Sequence, residues 1–152
     1  MRVRAGIVLL KEDRVALIER YRAGFHYFIF PGGGVDAGES LEQAAVREAK
    51  EELGIDVAIK QKVAELQLGQ QSQQFYFLVE QTGGEFGSGT GEEFLEENHN
   101  NPHKGIYIPI WMPISELLQH TNVYPADVAR LVVQSMEIGW LQEPTLIVEK
   151  SK

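Results

Sequence analysis

Cysteine is absent from the 152 residues, which excludes disulfides, zinc-thiolate sites and thiol nucleophiles together. Basic residues are scarce: 14 Lys and Arg stand against 22 Asp and Glu, for a formal net charge of -8. A surface of that sign is a poor partner for a nucleic acid polymer, whose backbone is gripped by basic side chains. It leaves a small nucleotide open, because metal ions and a few local cations hold a triphosphate even on an acidic protein. Long apolar runs are also missing. None reaches the roughly 18 residues expected of a membrane span. The stretch GIVLL behind the two N-terminal arginines is too short for a signal-peptide core and breaks directly into charge. The expectation is one domain over residues 1–152 with a single sizeable core, cytoplasmic, without membrane or polymer partners.

Carboxylates are plentiful, and three are placed in a way that asks for a cation. Glu48, Glu51 and Glu52 occupy relative positions 0, 3 and 4, which superimposes them along one edge of an α-helix. Like charges at those spacings destabilise an isolated helix by roughly 0.2 to 0.5 kcal/mol per pair. The helix itself is well signalled. Ser40 and Gln43 make a capping box, Gly54 supplies a left-handed stop, and residues 41–53 lie between them. Leu41, Ala44, Ala45, Ala49 and Leu53 form its apolar stripe. Upstream, Pro31 followed by Gly32, Gly33 and Gly34 predicts a turn whose amides favour anionic oxygens. Hard carboxylate oxygens suit Mg2+, Mn2+ or Ca2+. A merely solvated charged face is the usual meaning of REAKEE, but not behind PGGG and Glu39 at this spacing. An EF-hand fits less well still, since its acidic ligands alternate in a loop.

Gly33, Glu39, Arg47, Glu48, Ala49, Glu51, Glu52, Gly54 and Ile55 fill, in order, the nine positions of a known signature. The segment resembles the Nudix hydrolases, of the MutT-like kind. Ala49 is smaller than the aliphatic side chain usual at its position. The resemblance implies an α/β fold, an α/β/α sandwich with a mixed β-sheet. It implies Mg2+ held by Glu48, Glu51 and Glu52, with Mn2+ as a substitute. Arg47 pairs with a neighbouring glutamate to hold its rotamer, Glu39 supports the site, and the carbonyl of Gly32 adds a backbone ligand. Gly32, Gly33, Gly34 and Glu39 are thus expected at the cofactor. Arg47, Glu48, Glu52 and a loop carboxylate, Glu93 or its neighbour Glu92, are expected to be catalytic.

The rest of the chain alternates strands and helices. Strands are expected at 3–10, 14–19, 27–30, 57–67, 74–79 and 106–111, with Pro109 marking an edge, and at 145–149. Ser115 is expected to cap a helix through His120, and Pro125 to open another through Ile138, burying Ala126, Ala129, Leu131, Val132, Val133, Met136 and Trp140. Residues 82–105 read as a long glycine-rich acidic loop, the kind that carries function. There, Glu92, Glu93, Glu96 and Glu97 are candidate bases, while Asn100, Asn101 and Pro102 between His99 and His103 oppose a helical zinc pair. Most aromatics from Tyr21 to Phe30 and from Phe75 to Phe77 are expected in the core, with one or two stacking on a base. Arg20 and Arg22 are expected at the surface. Gln70 and Gln71 stand where a sugar-nucleotide enzyme of this family has proline, and Tyr76 is too distant to mark a dinucleoside polyphosphate enzyme. The substrate expected is therefore a small nucleotide or related diphosphate, by elimination a nucleoside triphosphate cleaved to monophosphate and pyrophosphate. The alternative is a non-catalytic Nudix-like nucleotide or metabolite sensor; a homodimer is left open.

Overall fold

A computed structural model describes residues 2–89 and 105–149. Among these, the order is β1 (Arg2–Lys11), β2 (Arg14–Arg22), β3 (Phe25–Ile29), β4 (Gly32–Gly34), α1 (Leu41–Leu53), β5 (Ile55–Leu68) and β6 (Ser72–Gly84). β7 (Ile106–Pro113), a 3-10 turn (Ile114–Glu116), β8 (Val123–Tyr124), α2 (Ala126–Ile138) and β9 (Thr145–Glu149) complete it. The strands join in the order β8-β3-β2-β1-β6-β5-β9, with β4 added to β1 and β7 to β2. β1 with β6, β3 with β8 and β5 with β9 run parallel, and the remaining pairs are antiparallel. The sheet is therefore mixed.

Side-chain alternation assigns each strand residue to one of two cores. Ala5, Ile7 and Leu9 of β1, Ala16 and Ile18 of β2, and Phe75, Phe77 and Val79 of β6 pack on Ala44, Ala45, Ala49 and Leu53 of α1. The intervening Val8, Val15, Leu17 and Tyr76 face the other way and meet Val128, Ala129 and Val132 of α2. One helix on each face of a mixed sheet is the α/β/α sandwich that was expected. Full burial of the three alanines brings α1 close to the sheet, so the small Ala49 suits this packing.

Local signals in α1 hold in detail. The Ser40 hydroxyl accepts from the Gln43 amide at 3.0 Å, and the Gln43 side chain accepts from the Ser40 amide at 2.8 Å. Gly54 ends the helix at φ 77°, a conformation a Cβ would strain.

Other expectations need correction. Gly32–Gly34 is a short strand rather than a turn, paired Arg4↔Gly34, Ala5↔Gly33 and Gly6↔Gly32. A Cβ on Gly32 would collide with the backbone of Ala5 and Gly6, so glycine is what lets the two chains lie together. Residues 82–84 continue β6 instead of opening the loop. The helix expected from Ser115 stops after one 3-10 turn, because Ile114 and Leu117 both enter the α2-side core and a spacing of three is the 3-10 repeat. On α2 the buried seam is Val128, Ala129 and Val132; Ala126 and Met136 are exposed. The seam spans little more than one turn, and Met136 lies one turn past it.

Candidate active site

Arg47 organises the site. Its Nε and Nη2 donate to the two carboxylate oxygens of Glu39 at 2.8 and 3.0 Å, and Nη2 also donates to the carbonyl of Gly34 at 2.9 Å. Nη1 donates to Glu48 at 2.9 Å and to Glu51 at 3.1 Å. One planar fork thus joins the loop before α1, the glycine strand and two turns of the helix, which a point charge could not span. These bonds, chiefly those from Arg47 and then the amide of Asp36, lower the Glu39 pKa to about 2. In return the carboxylates, Glu39 first, hold the Arg47 guanidinium more firmly protonated.

Glu48 and Glu52 are 8% and 6% exposed, while Glu51 is partly open to solvent. The amide of Gly32 donates to Glu52 at 3.4 Å. A Cβ on Gly33 would collide with the Glu48 carboxylate, so β4 lies against the acidic edge of α1. Residues 85–89 close the other end of the helix: the Gly87 amide donates to Leu53 O at 2.9 Å, and Ser88 Oγ to Gly54 O at 3.3 Å. Glu92, Glu93, Glu96, Glu97, His99 and His103 lie outside the described residues.

Beside the glycine strand is a cleft of about 410 Å³, lined by Arg2, Arg4, Tyr27, Phe30, Tyr76 and Tyr124 among others. It sits where β3 hands over to β4. Arg4 donates to the carbonyl of Phe30 at 3.3 Å, and the Tyr76 hydroxyl donates to Gln74 at 2.7 Å. Burial raises the Tyr76 pKa; the nearby Arg4 charge opposes this and the Glu52 charge adds to it.

Arg20, expected in solvent, is 5% exposed, with its guanidinium 3.5 Å from the ring centre of Tyr107 and 5.7 Å from that of Tyr27. Its place two residues beyond the buried Ile18, on the same strand face, is the signal that would have found it. Arg4 and Tyr124 were not singled out. At Gly6 a Cβ would strike the Tyr76 ring, which packs over β1 beside Arg4.

The donor set fits a hard divalent cation. Glu48, Glu51, Glu52 and the Gly32 carbonyl offer oxygen alone, matching Mg2+ or Mn2+. Among the described residues no three acidic or imidazole side chains converge as a ready cage.

A family model for the NUDIX domain matches residues 1–130. The chain belongs to the NUDIX family. It is 37% identical over 106 residues to the 8-oxo-dGTP diphosphatase of Haemophilus influenzae, covering 65% of this chain and 77% of that protein. It is 41% identical over 54 residues to the ADP-ribose pyrophosphatase of Methanocaldococcus jannaschii, covering 35% of this chain and 32% of that one. The chain spans about half or less of the length of the first curated relatives it matches. In three dimensions it is similar to a NUDIX hydrolase from Nitrosomonas europaea, with a TM-score of 0.76 at 17% identity over 99% of this chain and 79% of that one. At that identity the likeness speaks for the NUDIX fold alone. Family membership gives the Arg47 fork its context: of the nine signature positions read first as spacing, Glu39, Glu48 and Glu51 meet the Arg47 guanidinium.

Proposed function

We propose that this chain is a Mg2+-dependent pyrophosphohydrolase that cleaves a nucleoside diphosphate linked to another group. The observation that carries this reading is the fork of Arg47, which holds Glu48 and Glu51 on the edge of α1 beside the buried Glu52 and the glycine strand. A nucleoside triphosphate, cleaved to monophosphate and pyrophosphate, is the smallest substrate of this kind. The names of its relatives, among them an 8-oxo-dGTP diphosphatase and an ADP-ribose pyrophosphatase, support the reaction class.

Glu48, Glu51 and Glu52, with the carbonyl of Gly32, would hold the ion. When bound, a divalent cation neutralises phosphate charge and lowers the pKa of water beside it, the two contributions a phosphoanhydride hydrolysis most needs. The chain's own residues do the rest. Arg47 fixes the rotamers of Glu48 and Glu51, and the Gly32 amide steadies Glu52. Arg2 and Arg4 bring positive charge to a cleft that takes the nucleoside against Tyr27, Phe30 and Tyr76. Glu93, or Glu92 beside it, serves as general base, accepting a proton from the attacking water.

Glu52→Gln tests the assignment. It keeps the shape of the side chain and removes its charge, so the protein stays folded while turnover falls at least about 100-fold, the factor that corresponds to about 2.7 kcal/mol of lost transition-state stabilisation. The measurement is pyrophosphate or phosphate release from a panel of nucleoside triphosphates, nucleotide sugars and dinucleoside polyphosphates with Mg2+. Full activity in a folded Glu52→Gln protein would sink the site. Absence of turnover combined with a raised melting temperature in nucleotide would instead favour a sensor.

A further inference from the structure

β1 and β6 run parallel and stay paired from Arg2↔Ser72 to Leu9↔Val79. Beyond that point they part. Leu10 and Lys11 pair with Val15 and Arg14 of β2, while Glu80, Gln81, Gly83 and Gly84 continue along β5. Parallel strands that separate leave a crevice at their carboxyl ends, the place where open α/β sheets take ligands. Here the crevice is a notch of about 690 Å³, lined by Leu9, Lys11, Lys60, Glu80, Trp111 and Trp140 among others. That volume lies within the range of small-ligand pockets.

The notch and the cleft proposed for the substrate sit at opposite ends of the same two strands. The cleft takes Arg2 and Arg4 from β1 and Ser72, Gln74 and Tyr76 from β6, and among the described residues the two spaces share no lining side chain. Lys11 stands seven residues after Arg4, roughly 20 Å along a strand that rises about 3.3 Å per residue.

Two features of the wall specify what the notch would hold. The chain has two tryptophans, and both line it. Trp111 packs with the α1-side core and Trp140 with the α2-side core, and both are half-buried. An indole therefore stands toward each face of the sheet. Phe86 stacks on Trp111 with ring centres 4.6 Å apart, which holds that indole in place. Such surfaces favour a flat ring. The second feature is charge. Lys11 is exposed, its ammonium lies 6.0 Å from the Trp111 ring centre, and among the described residues it has no carboxylate partner. Lys60 meets Glu80 at 3.9 Å, the outer limit of an ion pair, with both side chains more than half exposed. In a chain of net charge -8, this leaves one cation unmatched beside the indoles.

We propose that the notch is a second ligand site, separate from the cleft, for a planar ring that carries negative charge. The ring lies against Trp111 and Trp140, and its anionic group meets Lys11, with Lys60 in support. A mononucleotide and a simple aromatic acid both present that chemistry.

The test is an NMR titration of the full 15N-labelled chain, following the two indole N–H signals, both of which belong to the notch. The probes are two matched pairs, AMP with adenosine and indole-3-acetate with indole-3-acetamide. At least one charged member should shift both signals saturably and bind about threefold more tightly than its uncharged partner, the gain from one partly exposed ion contact. Lys11→Gln combined with Lys60→Gln, both at exposed positions, should bring that ratio to about one. Arg4→Gln, in the cleft, should leave it unchanged. The pair that shows the preference identifies the source, a nucleotide or an aromatic acid. The site is overturned if neither charged compound moves the indole signals saturably, or if charged and uncharged partners bind equally. It is overturned as well if the preference survives the double lysine variant, or if Arg4→Gln abolishes the shifts, since the ligand would then occupy the cleft.

Discussion

Replacing Arg47 by lysine keeps the positive charge and removes the fork. The arginine makes five hydrogen bonds, two to Glu39 and one each to Glu48, Glu51 and Gly34. An ammonium has three donors at a single point and cannot reach Glu39 and the Glu48–Glu51 edge together. At least two bonds are lost. Hydrogen bonds to charged groups contribute about 1.5 to 3 kcal/mol each, and neutral ones about 1. The Arg47 side chain is 27% exposed, so solvent screening places the sum near the low end, at about 2 kcal/mol. In a chain of this length each kcal/mol moves Tm by about 2 to 4 °C, so Arg47→Lys should melt about 4 to 8 °C lower. Glu48 and Glu51 would also lose their shared clamp, and the Mg2+ needed for half-maximal turnover should rise about 10- to 100-fold, as when the partners that orient metal ligands are removed. Calorimetric melts and a Mg2+ titration of turnover measure the two effects. A variant that melts within about 1 °C of wild type, with an unchanged Mg2+ requirement, would refute the claim that the fork builds the site.

Gly33→Ala should separate site from fold. The nearest atoms a new Cβ meets are those of the Glu48 carboxylate, so Glu48 must shift and its bond from Arg47 weakens; at least about tenfold less turnover is expected in a protein that still folds, and unchanged turnover would show that the Glu48 position is immaterial. The pH dependence of stability follows from Glu39. Its folded pKa, about 2, lies below the ordinary 4.5, so the unfolded chain takes up the proton first on acidification. The stabilisation is complete above the ordinary value and is lost as pH falls through it toward the folded one. Urea midpoints taken between about pH 6 and pH 3 should therefore drop more steeply in wild type than in Glu39→Gln; parallel slopes would mean that the Glu39–Arg47 pair is not the source.

Helix α1 was legible almost to the residue, because its boundaries are set by local chemistry: a capping box at Ser40 and Gln43, and a left-handed glycine at 54. Helical spacing likewise put Glu48, Glu51 and Glu52 on one edge of α1, although among the described residues no three acidic side chains converge as a cage. What failed depended on partners far along the chain. Gly32–Gly34 is a strand only because β1 lies beside it, and the segment after Ser115 stops short because Ile114 and Leu117 are drawn into the core. Arg20 escaped because burial of an arginine is decided by its neighbours across the sheet, Tyr107 and Tyr27. The cleft escaped for a related reason: it is lined from β1, β3, β6 and β8, which no spacing within one segment can reveal.

The same contrast accounts for the division of labour in the site. On the proposed reading the reacting diphosphate needs groups held to within a fraction of an ångström, and Glu48, Glu51 and Glu52 sit on one helix capped at both ends, with Arg47 clamping the first two. The cleft proposed for the organic part is lined from strands that meet through tertiary pairing. A substitution in that cleft, on strands apart from α1, should therefore change which group is accepted without moving Glu48 or Glu52. A substitution at Arg47 cannot, because Glu39, Gly34, Glu48 and Glu51 all lose the same partner at once. Loss at Tyr27, which lines the cleft, should thus be selective among substrates, and loss at Arg47 should be common to all of them.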